Sequence, residues 1–169
     1  AVAVEDPEAG SFELLPGEAL DHALPKRLAE FAAGRRAARA AMAMLGFAPV
    51  AIPHGPDRSP WWPKRVVGSI SHTDGLCVAV VGRADDWIGM GLDLEPDRAL
   101  EAALWPEILR PTERVCIDDL PETSQGFAAM AIFVAKEAVY KAQYPTSRTL
   151  IDFQAISVEM DDHGFVARF

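Results

Sequence analysis

The sequence predicts an α+β protein made of two similar lobes, each a helix packed on a small, mostly antiparallel sheet. Three observations predict it. Residues 25–45 and 125–142 carry apolar side chains at helical spacing. Residues 66–94 break into short β-rich runs separated by turn residues. The order helix then strands occurs twice, although no sequence repeat accompanies it. With 169 residues, half of them hydrophobic, the chain can form one compact unit or two small lobes sharing a core.

Residues 1–20 are rich in Gly, Pro and Glu and read as loop or edge. Pro25 suits a first helical turn, with Asp21 upstream as a candidate cap. From there Leu24, Leu28, Phe31, Ala38, Met42 and Leu45 form one apolar stripe, interrupted at Arg35 and closed by Gly46. Residues 49–64 hold five prolines and the pair Trp61-Trp62, so they form an irregular connection. Three strands are expected next: Val66–Ser71, Leu76–Val81 across Thr73-Asp74-Gly75, and Trp87–Leu94 across residues 82–86. Short helices are expected at Leu100–Leu109 and Pro111–Cys116. A long helix should cover Gln125 to Ala142 and stop before Pro145. A hairpin of Ala155–Met160 and Phe165–Phe169 closes the chain, and its end inside a strand suggests that the natural protein continues.

The net charge of −9 argues against general nucleic-acid binding, which requires a basic footprint. No apolar run approaches the roughly 20 residues that span a bilayer. Cys77 and Cys116 lack metal-ligand spacing, and buried free thiols in a cytoplasmic protein are the expected state. Charge is unevenly spread: residues 1–24 contain no Lys or Arg, whereas residues 25–39 carry Lys26, Arg27, Arg35, Arg36 and Arg39 against Glu30 alone. An acidic protein with one basic helix fits local handling of a small, highly charged anion.

Two polar clusters stand out within apolar runs. In Gly91-Leu92-Asp93-Leu94-Glu95, strand alternation would turn Asp93 and Glu95 to one face. In Lys136-Glu137-Ala138-Val139-Tyr140-Lys141, Glu137 and Lys141 are four apart and share a helix face. Oxygen-only ligands would suit Mg²⁺, with substrate phosphates completing the shell. The alternative is two surface carboxylates and an ordinary helix pair. Arg35, in mid-stripe, is either an anion contact or a residue that snorkels out or meets a core carboxylate. Ser69-Ile70-Ser71-His72 ends a strand, so His72 is either a phosphate donor or simply a turn histidine. Without a Gly-x-Ser-x-Gly elbow, serine hydrolysis is not indicated.

Taken in order, the arginine-bearing first helix, the Ser-x-Ser-His strand end, Gly-Leu-Asp-Leu-Glu and Phe-Val-Ala-Lys-Glu-Ala-Val-Tyr-Lys resemble the 4′-phosphopantetheinyl transferases of the larger, single-chain type, over roughly residues 24–169. Trp62-Pro63 and Val67–His72 strengthen the match. The resemblance implies transfer of the phosphopantetheine arm of coenzyme A to a serine of an acyl or peptidyl carrier protein. It implies Asp93, Glu95 and Glu137 as ligands of Mg²⁺ or Mn²⁺. Lys136 and Lys141 would hold the diphosphate, with Glu137 and Lys141 catalytic, and Arg27, Arg35, His72 and Ser71 would line the nucleotide-phosphate site. The place of a further basic residue is taken by His54, with Arg58 nearby. The expected lobes are residues 1–94 and 95–169 in a pseudo-twofold arrangement with the site between them, in a cytoplasmic monomer. Carrier docking is expected on an apolar or basic patch beside the second lobe. Two other readings compete: a Mg²⁺-dependent phosphohydrolase of coenzyme A-like diphosphates, which would use the same acidic residues, and a non-catalytic coenzyme A-binding scaffold, which would expect degraded acid positions where all three acids are intact.

Overall fold

The computed structural model describes residues 1–8, 13–20, 22–73, 75–161 and 163–169. Strand β1 (Val2–Glu5) precedes helix α1 (Pro25–Met44), then β2 (Val66–Thr73) and β3 (Leu76–Arg83). Short helices α2 (Trp105–Ile108) and α3 (Pro111–Asp118) lead into α4 (Glu122–Ser147), and β4 (Ser157–Asp161) and β5 (Gly164–Arg168) form a final hairpin. The protein is thus α+β with small antiparallel sheets, one ordered β1-β3-β2 and one of β4-β5.

Helix α1 starts at Pro25 and ends at Met44, with Leu45 as its cap and Gly46 following at φ +80°, a conformation that suits glycine. Asp21, the expected cap, lies outside the described residues, as do Asp74 and Asp162 of the two expected turns. The buried face of α1 is mostly alanine, which lets it lie close on the sheet: Ala37, Ala38, Ala41 and Met42 pack with Ile52, Val66, Ala79 and Val81. A second cluster joins Trp105, Ile108, Leu109, Ile117, Ala129, Ile132, Ile156 and Val158 around α4. Burial of each large side chain of this kind contributes about 1.5–3 kcal/mol.

Three expectations are corrected. Residues 87–94 do not form a strand of the sheet. The open side of β3 is taken by β1 instead, in the antiparallel register Val2↔Val80 to Glu5↔Cys77. The 89–94 backbone is wedged between β2 and α4. A Cβ at Gly91 would overlap the Ala138 carbonyl, and one at Gly89 the Ala142 carbonyl, so the segment has spent its backbone on helix contact. Helix α4 also runs past Pro145 to Ser147. A proline in the last turn costs one helical N–H, and Arg148 in the left-handed conformation (φ 55°) closes the helix through its N–H to Tyr144 O at 2.9 Å. Finally, Cys116 is exposed on α3, while Cys77 is a buried free thiol pushed up to about 11, chiefly by burial and then by Glu30. No described helix is long and apolar enough to cross a membrane.

Candidate active site

Five segments meet at one cleft of about 230 Å³: α1 from Arg27 to Arg35, the loop at Arg58 and Pro60, the end of β2, residues 93–95 and α4. It is lined by Arg27, Glu30, Arg35, Arg58, Ser71, His72, Asp93, Glu95 and Lys141.

The Asp93 side of the cleft is built on Ser71. Leu94 N–H donates to Ser71 Oγ at 3.2 Å, and that hydroxyl donates to Asp93 Oδ1 at 3.1 Å. Lys141 Nζ donates to the same hydroxyl at 3.2 Å and to Asp93 Oδ1. Side-chain bonds to β2 therefore do what a strand ladder was expected to do, holding residues 92–94 along the sheet edge. The second oxygen of Asp93, Oδ2, is buried without a hydrogen-bond partner. Glu137, one turn before Lys141, is half-buried. Burial raises its carboxyl above the usual range, Asp93 and Glu95 add to the rise, and Lys141 opposes it.

These donors fit a hard cation, because they are oxygens only and a buried carboxylate oxygen is unpaired. They do not form a ready-made cage. Among the described residues, no three His, Cys, Asp or Glu side chains are gathered closely enough to hold a metal ion. Lys141 occupies the other oxygen of Asp93.

The opposite side is cationic. Arg35 is buried, its Nε donating to Ile52 O at 3.0 Å and its guanidinium lying 3.9 Å from the Phe31 ring centroid. Its Nη2 is buried with no partner, the kind of donor that an anion satisfies. Burial pulls the guanidinium down to about 10; Glu18 opposes this, and Arg27 and Arg39 add to it. Arg27 donates to His72 Nε2. His72 is therefore a neutral imidazole with its proton on Nδ1, which faces Glu30 Oε2 at 3.8 Å. Burial lowers the His72 pKa, Glu30 opposes this, and Arg27, Lys141 and Lys26 lower it further.

Two expected contacts are elsewhere. Lys136 does not reach the cleft: it is fully buried on the far side of α4, donating to Glu113 Oε2 at 2.7 Å, Ile108 O at 2.7 Å and Phe153 O at 2.9 Å. Residues 136 and 141 are five apart on a helix of 3.6 residues per turn, so they cannot share a face as centrally as 137 and 141 do. His54 faces backbone instead, Gly55 O at 2.8 Å and Ala19 O at 3.0 Å. Arg58 lines the cleft in its place, at φ 65°. In sequence Arg58 stood out only as the arginine near His54, although the run Pro56-Asp57-Arg58-Ser59-Pro60 marks a turn there. Glu113 sits in a short helix and gave no signal of its role.

The chain also matches known proteins in sequence. Residues 15–82 match the family model described as the 4′-phosphopantetheinyl transferase N-terminal domain, and residues 89–169 match that of the 4′-phosphopantetheinyl transferase superfamily. The chain is 38% identical to the 4′-phosphopantetheinyl transferase Svp of Streptomyces mobaraensis, over 92% of this chain and 65% of that protein. It is 37% identical to the 4′-phosphopantetheinyl transferase PptT of Mycobacterium tuberculosis, over 92% of this chain and 70% of the relative. It is also 37% identical to enterobactin synthase component D of Escherichia coli, over 82% and 66%. The chain spans about two thirds of the length of these curated relatives.

Proposed function

The chain belongs to the 4′-phosphopantetheinyl transferase superfamily, and from that premise we propose that it transfers the 4′-phosphopantetheine arm of coenzyme A to a serine of an apo acyl or peptidyl carrier protein, releasing adenosine 3′,5′-bisphosphate. One observation carries the proposal. A cluster of cationic groups, Arg27, Arg35 and Arg58, lines a cleft that runs directly into the Asp93–Lys141 pair. That is one wall for a nucleotide bisphosphate and one for a reacting diphosphate.

In this reading Arg35 donates its free Nη2 to a phosphate, and Arg27, Arg58 and His72 hold the remaining phosphate oxygens. A divalent cation, Mg²⁺ or Mn²⁺, held by Asp93, Glu95 and Glu137 would neutralise charge on the diphosphate. Glu137 accepts the proton of the acceptor serine hydroxyl, directly or through one water. The serine oxygen forms a bond to the phosphorus nearest the pantetheine, and the bond from that phosphorus to the bridging oxygen breaks. Lys141 leaves Asp93 to stabilise the negative charge that appears on the departing bisphosphate. Ser71 keeps Asp93 and Lys141 in register. The two-lobe division at residues 94 and 95, the monomeric state and the cytoplasmic setting belong to the same proposal.

The test is to incubate the protein with apo carrier protein, coenzyme A and Mg²⁺ and to weigh the carrier. A mass gain of one phosphopantetheine on serine, with bisphosphate released, is expected. Equal consumption of coenzyme A without carrier would overturn transfer in favour of hydrolysis, a reading that the matched relatives do not support.

A further inference from the structure

Arg58 owes its place to residues that never enter the cleft. It is a non-glycine residue at φ 65° in a tight excursion of the chain, a conformation that persists only where the surroundings over-determine it. The excursion closes on itself through Gly55 N–H to Ser59 O at 2.9 Å, Arg58 N–H to Gly55 O at 2.9 Å and Trp61 N–H to Pro53 O at 2.8 Å. Asp57 ties it further: its Oδ1 accepts from Ser59 N–H at 3.1 Å and from Ser59 Oγ at 2.7 Å.

The other oxygen of Asp57 points across the molecule. Oδ2 accepts from Arg148 Nη1 at 3.0 Å, a contact spanning 91 positions. Arg148 is itself left-handed, at the end of α4, with its guanidinium 5.7 Å from the Tyr144 ring centroid. Tyr144 stacks on Tyr140 at 5.4 Å and 29°. Residues 140, 144 and 148 repeat every four positions, on the side of α4 that also carries Glu137 and Lys141. A continuous ladder therefore runs from the reactive face of α4 to the loop that carries Arg58. Ser59 holds the Asp57 carboxyl below its usual value, and Tyr144 and Arg148 add to the effect.

We propose that Asp57 and Arg148 form a clasp that positions Arg58 over the anion cleft, so that Arg148 sets the affinity for a nucleotide bisphosphate without touching it. The functional half of this inference rests on the coenzyme A reading of the cleft; the structural half does not. Both partners are partly exposed, 54% for the Arg148 side chain and 28% for Asp57, so the pair contributes little to global stability. Its effect is local: it joins the loop of one half of the chain to the helix end of the other. Losing it frees residues 55–59 and lets Arg58 swing away from the phosphates.

Two measurements test this. In the ligand-free protein, Arg148→Gln should speed amide hydrogen exchange at residues 55–59 and leave the middle of α4 protected, with Arg148→Lys restoring much of the protection. Unchanged exchange at 55–59 would overturn the clasp, whatever the cleft binds. Titration with adenosine 3′,5′-bisphosphate and with coenzyme A then reads the function. Arg148→Gln and Arg58→Gln should each weaken binding by roughly 3- to 10-fold, and the double variant should be no weaker than Arg58→Gln alone, because both act through one side chain. Losses that multiply in the double variant would overturn positioning through Arg58. If the native protein and Arg35→Met bind both nucleotides equally poorly, the coenzyme A reading fails, and the exchange result still decides the clasp.

Discussion

The ammonium of Lys141 is hydrogen-bonded to the carboxylate of Asp93, joining α4 to the segment that follows the first sheet across 48 positions of sequence. A cationic side chain thus sits on one oxygen of the residue best placed to bind a cation, and the other oxygen is unpartnered. In the proposed mechanism a metal ion and Lys141 would compete for Asp93, and binding of the metal would free Lys141 for the substrate.

That competition is measurable. Lys141→Met should bind Mn²⁺ more tightly than the native protein in the absence of substrate, since Asp93 no longer has an internal cation. The same variant should transfer at least about 100-fold more slowly, the scale of losing one preorganised donor to developing charge. Calorimetric or EPR titration with Mn²⁺ gives the first quantity and single-turnover kinetics the second. Metal affinity that falls together with the rate would show that Lys141 supports the metal site instead of competing with it.

Arg35→Met should separate binding from folding. The substitution removes a buried donor that has no partner but also loses the Nε bond to Ile52 O, so the melting temperature of the ligand-free protein should change little. Coenzyme A affinity should fall by about 2–5 kcal/mol, the cost of truncating one partner of a buried charge contact. Normal binding with a much lower melting temperature would make Arg35 a structural residue.

Lys136 and Glu113 should behave as a unit. Their side chains are 0% and 3% exposed. Glu113 also accepts from Val158 N–H and Arg110 N–H, each at 2.8 Å. Lys136→Met alone should cost about 3–5 kcal/mol by leaving a buried carboxylate without its cation. Adding Glu113→Gln should recover part of this, because the uncompensated charge is gone and the amide oxygen can still accept one of the two backbone N–H bonds. Chemical denaturation of the two single variants and the double would show it. Additive losses would mean that the pair is not coupled.

His72 should couple anion binding to protons. Its pKa lies below the ordinary histidine value, mainly through burial, with Arg27, Lys141 and Lys26 lowering it and Glu30 opposing. A depressed folded-state pKa gives stability that is present above the unfolded value near 6.5 and is lost as pH falls through the folded value. A phosphate beside Arg27 and His72 would raise that pKa. Coenzyme A binding near pH 6 should therefore take up protons, seen as a dependence of the calorimetric enthalpy on the ionisation enthalpy of the buffer. His72→Gln should remove the uptake due to the ring, leaving the change from the phosphate itself, whose second pKa is about 6. The same buffer dependence in the native protein and in His72→Gln would remove His72 from the phosphate site.

Much of this was legible before any coordinates. The apolar spacing of residues 25–45 is a local property, and α1 follows it from Pro25 to Met44 with Arg35 buried where the stripe put it. The strand pair 66–73 and 76–83 and the final hairpin follow from β-rich runs separated by short turns. The ordered motifs also named the family. Their residue types are those that phosphate and hard-cation chemistry demands, and local sequence carries residue type in full.

Tertiary packing decided the rest. Whether residues 87–94 join a sheet depends on what else competes for the edge of β3, and β1, more than 70 positions away, takes it. Lys136 and Lys141 look alike in sequence, yet one is sealed against Glu113 and the other reaches Asp93. A helix has two sides, and only its neighbours determine which side is core. His54 and Arg58 were separable only through the left-handed turn at Arg58 and the Asp57–Arg148 contact that spans 91 positions. Periodicity and propensity act over a few residues, whereas ion pairs and close backbone approaches are settled by which distant segments come to share a surface.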